Sequence, residues 1–160
     1  MKALVVYHTV YGNTEQIAQA IGRGIGGEME VWVSCASAFA PQRMTGLDLL
    51  VVGSATQRFR PLPSLSAFLK SIPETDLKGI KVAAFDTRLT EEAIHKVRIL
   101  SFFVGLFGYA AEPIAKSLQS QGGELVIEPQ GFYVAGTEGP LVEGELERAE
   151  AWGRQLRSLV

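Results

Sequence analysis

Apolar residues in this chain come in short unbroken runs, separated by stretches with helical spacing. The first run is Lys2-Ala-Leu-Val-Val-Tyr7, and others cover 30–34, 48–54, 81–86 and 124–127, the last resuming over 131–135. Several are continuous rather than alternating, which suits strands covered on both faces, as in a parallel sheet. Between them the spacing predicts helices over 14–25, 63–72, part of 90–107, 109–121 and 143–159. The last of these places Leu146, Ala149, Trp152, Leu156 and Leu159 on one stripe. Its acidic residues come early and its arginines late, as the helix dipole favours. Alternating strands and helices predict a doubly wound α/β fold, with residues 1–160 forming one domain and no repeat or linker interrupting it.

Composition narrows the chemistry. The 160 residues are 47% hydrophobic and 20% charged, as in an ordinary globular protein with a full-sized core. A formal net charge of -2 provides no basic field for nucleic acid. One cysteine, Cys35, excludes an internal disulfide and a cysteine cage, and His8 and His95 lie far apart in sequence, so no metal site is expected. Residues 1–7 lack the pattern of a signal peptide. The longest mostly apolar run, Ile99 to Ala111, has 13 residues, short of the roughly 20 that span a bilayer. A cytoplasmic protein without stable membrane insertion is expected.

The densest chemistry follows the first run: His8-Thr-Val-Tyr-Gly-Asn-Thr14, then Glu15-Gln-Ile-Ala-Gln-Ala-Ile21. Strand, hydroxyl- and Gly-bearing turn and helix N-terminus form an arrangement for holding a phosphate. The first N–H groups of a helix have no intrahelical partner, and the dipole favours an anion there. Thr9 and Thr14 offer hydroxyls, Asn13 an amide, and Gly12 close backbone approach. In doubly wound sheets ligands bind beyond the carboxyl ends of the strands, where the strand order reverses. Three segments should meet there: the turn after the first strand, residues 55–62 after the third, and Asp86-Thr-Arg-Leu89 after the fourth.

Other features carry blander readings. Gly22-Arg-Gly-Ile-Gly-Gly27 matches G-x-G-x-x-G, but it ends a helix and leads into a strand, so it reads as a C-cap and turn. His8 closes the first strand or serves as a charge partner of the loop. Cys35 reads as a buried or semi-buried thiol, and Trp32 and Trp152 as core. Asp86 either accepts from a ligand N–H or a Thr hydroxyl, or caps the following turn. The apolar segment 99–107 packs as core, or docks a partner, a second subunit or a quinone.

With these residues the chain resembles flavodoxins and flavodoxin-like FMN proteins, whose phosphate loop reads Ser/Thr-x-Thr-Gly-x-Thr directly after the first strand. The corresponding residues are Thr9, Val10, Tyr11, Gly12, Asn13 and Thr14. Tyr11 replaces the usual Thr, and a Tyr-Gly pair is also seen among FMN-dependent quinone reductases. The resemblance covers essentially the whole chain. It implies a three-layer sandwich with a five-stranded parallel sheet of order 2-1-3-4-5, helices on both faces, and non-covalent FMN. By that analogy the phosphate sits on 9–14. The ring lies between Ala55, Thr56, Gln57, Arg58 and Phe59 on one side and Asp86, Thr87 and Arg88 on the other. Phe59 is the first candidate ring contact, because Gln57 stands where the family carries an aromatic residue; Phe107 and Tyr109 follow. Arg58, Arg60 and Arg88 stand where acidic flavodoxins place carboxylates, which implies a less negative low-potential couple.

The resemblance implies an electron carrier working between a reductase and an acceptor. The alternative is an FMN-dependent oxidoreductase of the quinone-reductase type, suggested by Tyr11 and segment 99–107. A flavin-free binding or regulatory domain is a third reading, motivated by Gln57 and the unusual fourth loop. Each leaves the oligomeric state open.

Overall fold

The structure, a computed structural model, describes residues 1–39, 41–56, 63–72, 76–95 and 109–160. In chain order the elements are β1 (Lys2–His8), α1 (Asn13–Ile25), β2 (Glu30–Cys35), β3 (Leu49–Ala55), α2 (Pro63–Ser71) and β4 (Lys81–Leu89). Then come α3 (Glu91–His95), α4 (Ala111–Ser120), β5 (Glu124–Leu125), β6 (Gln130–Val134) and α5 (Glu145–Ser158). Two short 3-10 turns, Ala36–Ala38 and Pro41–Met44, lead from β2 towards β3.

All strand pairs are parallel, in the order β2-β1-β3-β4-β5, with β6 also on β4. This is the 2-1-3-4-5 sheet, its fifth position filled by two pieces. β5 pairs Lys81 and Val82, and β6 pairs Phe85 through Leu89. Between those registers β4 advances three residues, from Val82 to Phe85, while its partner advances five, from Leu125 to Gln130. Two residues are therefore looped out. Pro129 lies in that gap, where its missing N–H costs the ladder nothing.

The continuous apolar runs are explained by a core on each face of the sheet. Ala3, Val5, Tyr7, Val51, Ala83 and Phe85 pack under α1 and α5. Leu4, Val6, Leu50, Val52, Val82 and Ala84 pack under α2 and α4. Trp152 is buried against Phe85 and Phe132, with ring centroids 6.4 and 6.1 Å away. Trp32 is only half-buried, on the edge strand β2, with Lys2 and Arg43 cations 5.9 and 5.2 Å from its ring centroid.

Two sequence expectations change here. The fourth strand does not stop at Asp86: β6 pairs alongside and carries it to Leu89, so Thr87 and Arg88 are strand residues, not loop residues. Within 22–27 only Gly26 and Gly27 form the exit, the Gly26 N–H bonding the Gly22 carbonyl at 3.0 Å. Gly22 and Gly24 lie inside α1. A Cβ on Gly24 would come within 2.1 Å of the Glu150 carbonyl, and one on Gly153 within 2.4 Å of the Ile21 carbonyl. These glycines let α1 and α5 cross backbone to backbone. Segment 99–107 and the rest of the helix expected within 90–107 beyond His95 lie outside the described residues.

Candidate functional site

β1 runs between β2 and β3, and the chain leaves it first to one side and then to the other. That makes the carboxyl end of β1 the point of strand-order reversal. A cleft opens there, with about 510 Å³ of space that includes its open mouth. It is lined by Thr9, Val10, Tyr11, Asn13 and Thr14 from the loop after β1, and by Ala55 and Thr56 after β3. Thr87, Arg88 and Leu89 of β4 complete it with Val134 and Thr137. A wider depression of about 970 Å³ lies by Met29, Gly27 and Arg157, away from the carboxyl ends where the helix N-termini converge.

The loop after β1 is built around Gly12, the N-cap of α1, held in the left-handed region at φ 87°. A side chain there would be strained by the backbone conformation alone, because a Cβ would meet nothing within 4 Å. The Thr9 hydroxyl accepts the Gly12 N–H at 2.9 Å, which fixes the turn and leaves the Thr9 O–H able to donate. The first helical bond runs from Gln16 N–H to the Gly12 carbonyl. The N–H groups of Asn13, Thr14 and Glu15 therefore precede the ladder and stay available to an acceptor. None of the side chains from Thr9 to Thr14 is charged.

The other two expected donors of this loop are already engaged. Thr14 is fully buried and its hydroxyl lies 2.8 Å from that of Thr87. Asn13 donates its amide to the Glu138 carbonyl at 3.1 Å, tying the hairpin after β6 to the loop after β1. This hairpin closes by an Ala135 N–H bond to the Pro140 carbonyl at 2.9 Å and brings Thr137 to the cleft. Sequence reading missed Val134 and Thr137. The available signal was the Gly136-Thr-Glu-Gly-Pro140 turn directly after the last strand piece.

Asp86, expected at the site, is fully buried beside Arg88 and does not itself line the cleft. Its carboxylate accepts Arg88 Nε at 2.6 Å, Arg88 Nη2 at 2.8 Å and the Ala111 N–H at 2.9 Å. Asp86 thus holds the cation of its neighbour two residues on and the first turn of α4. Burial pushes the Asp86 carboxyl above its ordinary range, against the pull of Arg88 and the Ala111 N–H. Tyr109 stacks on Arg88, the guanidinium carbon 3.6 Å from the ring centroid. Thr56 donates its N–H to the Thr87 carbonyl at 2.9 Å and accepts the Ala110 N–H on its hydroxyl at 3.2 Å. Gln57, Arg58, Phe59, Arg60 and Phe107 lie outside the described residues. Of the three arginines expected near a ring, Arg88 is the one described, and its charge is matched by Asp86.

His8 closes β1 and bonds through Nδ1 to the Ser64 hydroxyl at 2.8 Å, in the first turn of α2. Burial lowers its pKa. Tyr7 is buried, and its hydroxyl is pushed up to about 12 by burial and by Glu15. Cys35 is half-buried at the end of β2, its sulfur 3.2 Å from the Ser37 hydroxyl. Val10 and Tyr11 expose 47% and 50% of their surface at the cleft rim, the one apolar edge of the site among the described residues. No helix among the described residues is long and apolar enough to cross a membrane.

A family model, the flavodoxin domain, matches residues 4–130. No curated protein matches by sequence. Among solved structures, flavodoxin 1 from Bacillus cereus is 20% identical with a TM-score of 0.76, and 100% of this chain and 99% of that one are covered. The Streptococcus pneumonia TIGR4 flavodoxin is 18% identical with a TM-score of 0.77, each chain covered in full at 100%. A WrbA-like flavodoxin from Agrobacterium tumefaciens is 16% identical with a TM-score of 0.73, and 99% of this chain and 96% of that one are covered.

Proposed function

The chain belongs to the flavodoxin domain family, and from that premise we propose that it binds FMN non-covalently and carries electrons between a reductase and an acceptor. The observation that carries this reading is the loop after β1. Gly12 in the left-handed region opens α1 at the strand-order reversal, with the N–H groups of Asn13, Thr14 and Glu15 ahead of the helical ladder. That donor set fits a phosphate monoester better than a neutral ligand, because unpaired N–H groups and the positive helix end both favour an anion.

In this reading the N–H groups at the start of α1 and the Thr9 hydroxyl hold the phosphate. Thr14 and Thr87 lock the floor beneath it by their mutual hydrogen bond. Thr56 and Arg88 flank the ring end of the cleft. Bound FMN supplies one- and two-electron redox chemistry, and the protein sets its orientation and the water around it. The exposed Val10 and Tyr11 leave an apolar rim where a redox partner approaches.

Titration with FMN, followed by quenching of flavin fluorescence, tests the reading. Saturable one-to-one quenching is expected, and failure to quench would leave the flavin-free alternative standing. Steady-state NAD(P)H oxidation by a quinone, with no reductase present, should be negligible; rapid turnover would move the assignment to an FMN-dependent oxidoreductase.

A further inference from the structure

Arg88 is built in a way that its structural partners do not exhaust. Its side chain is only 12% exposed. Nε and Nη2 are both spent on the two oxygens of Asp86. Tyr109 stacks on the guanidinium, and Gly131 leaves it room, since a Cβ there would come within 2.3 Å of Nε. Three sides of the group are thus fixed, yet Nη1 has no hydrogen-bond partner among the described residues, in a residue that lines the cleft. Nη1 is not among the buried polar atoms that lack a partner, so it opens to solvent at the cleft, where an acceptor can take the place of water. Arginine cannot shed the charge by losing its proton.

We propose that Arg88 is a preset donor of the cleft, its Nη1 N–H group donating to a carbonyl oxygen on the pyrimidine edge of the bound flavin ring. Asp86 and Tyr109 are then positioning residues, holding the guanidinium plane so that little freedom is lost when the acceptor arrives. This rests on the FMN reading above. It adds a ring contact supplied by a strand residue of β4, independent of residues 57–62. The Asp86 charge offsets that of Arg88, so the contribution is directional hydrogen bonding more than a bare positive field.

The test compares FMN with riboflavin, which shares the ring and lacks the phosphate. Arg88→Gln should raise the dissociation constants of both by a similar factor, about tenfold, as expected for a lost charged hydrogen bond. Unchanged affinities, or a loss confined to FMN, would overturn the proposal. A purely structural role, or a variant that does not fold, is separated by a measurement on the unaltered protein. FMN analogues with sulfur in place of one ring carbonyl oxygen present a weaker acceptor. At position 2 or 4 the unaltered protein should bind the analogue at least about fivefold less tightly than FMN. Equal affinity at both positions would overturn the proposal even if Arg88→Gln misfolds. If the unaltered protein binds no FMN at all, it is the functional reading that fails.

Discussion

His8 sits where three constraints meet: the end of the β1 ladder, the start of the loop after β1 and the first turn of α2. Its Nδ1 shares a hydrogen bond with Ser64 at 2.8 Å, and burial holds its pKa below the ordinary 6.5. The unfolded chain therefore binds a proton over a pH range in which the folded chain does not. Stability is complete above about pH 6.5 and declines as the pH falls from there towards the lowered folded value. Thermal midpoints measured between about pH 8 and 5 should fall through that window. His8→Asn, which can keep a polar partner for Ser64 but does not titrate, should remove that part of the slope. Identical slopes in the two proteins would rule His8 out as the group responsible. The bland reading of His8, as a residue closing the strand, is thus compatible with a measurable pH dependence.

At the scale of elements, α1 and α5 meet through glycine. Gly24→Ala should cost about 1–3 kcal/mol net, because the overpacking penalty exceeds the helix propensity gained. The clash is with backbone: the Glu150 carbonyl at 2.1 Å cannot be relieved by a rotamer change. Chemical denaturation with an unchanged m-value and a lower midpoint is the expected result; a stabilised variant would show that the helices separate freely. The same contact shows the limit of reading elements from sequence. Periodicity located α1, β1, β3 and α2 to within a residue or two, because each runs from a turn residue into a continuous buried stripe. It gave no hint that Gly22 and Gly24 were packing residues, since a glycine that yields space looks in sequence like one that ends a helix. Nor did it show β4 running on to Leu89, because that extension depends on β6, which lies more than forty residues later and supplies the missing partner. Asp86 was legible as a carboxylate at a strand end. Its partners, Arg88 on the same strand face and Ala111 at the start of α4, required the fold.

The molecule as a whole divides the cleft into two ends with different origins. The end at residues 9–14 is local, built from six successive residues whose turn and helix start were readable directly. The other end is assembled from β3, β4 and the approach to α4, with the hairpin after β6 closing over residues 9–14 through Asn13. Ligand binding should therefore couple to global stability, because an occupant touching both ends adds to the side-chain bond between Thr14 and Thr87 that joins them. If FMN binds the folded chain alone, FMN at 100 times its dissociation constant stabilises by about 2.7 kcal/mol. For a chain of this length that corresponds to a rise of roughly 5–10 °C in the thermal midpoint. Riboflavin at the same concentration should give a smaller rise, because the N–H groups at the start of α1 then face no phosphate. Scanning calorimetry with each ligand checks both parts. Equal shifts for FMN and riboflavin would mean that the helix end contributes nothing to recognition, and the reading of residues 9–14 would fall with it.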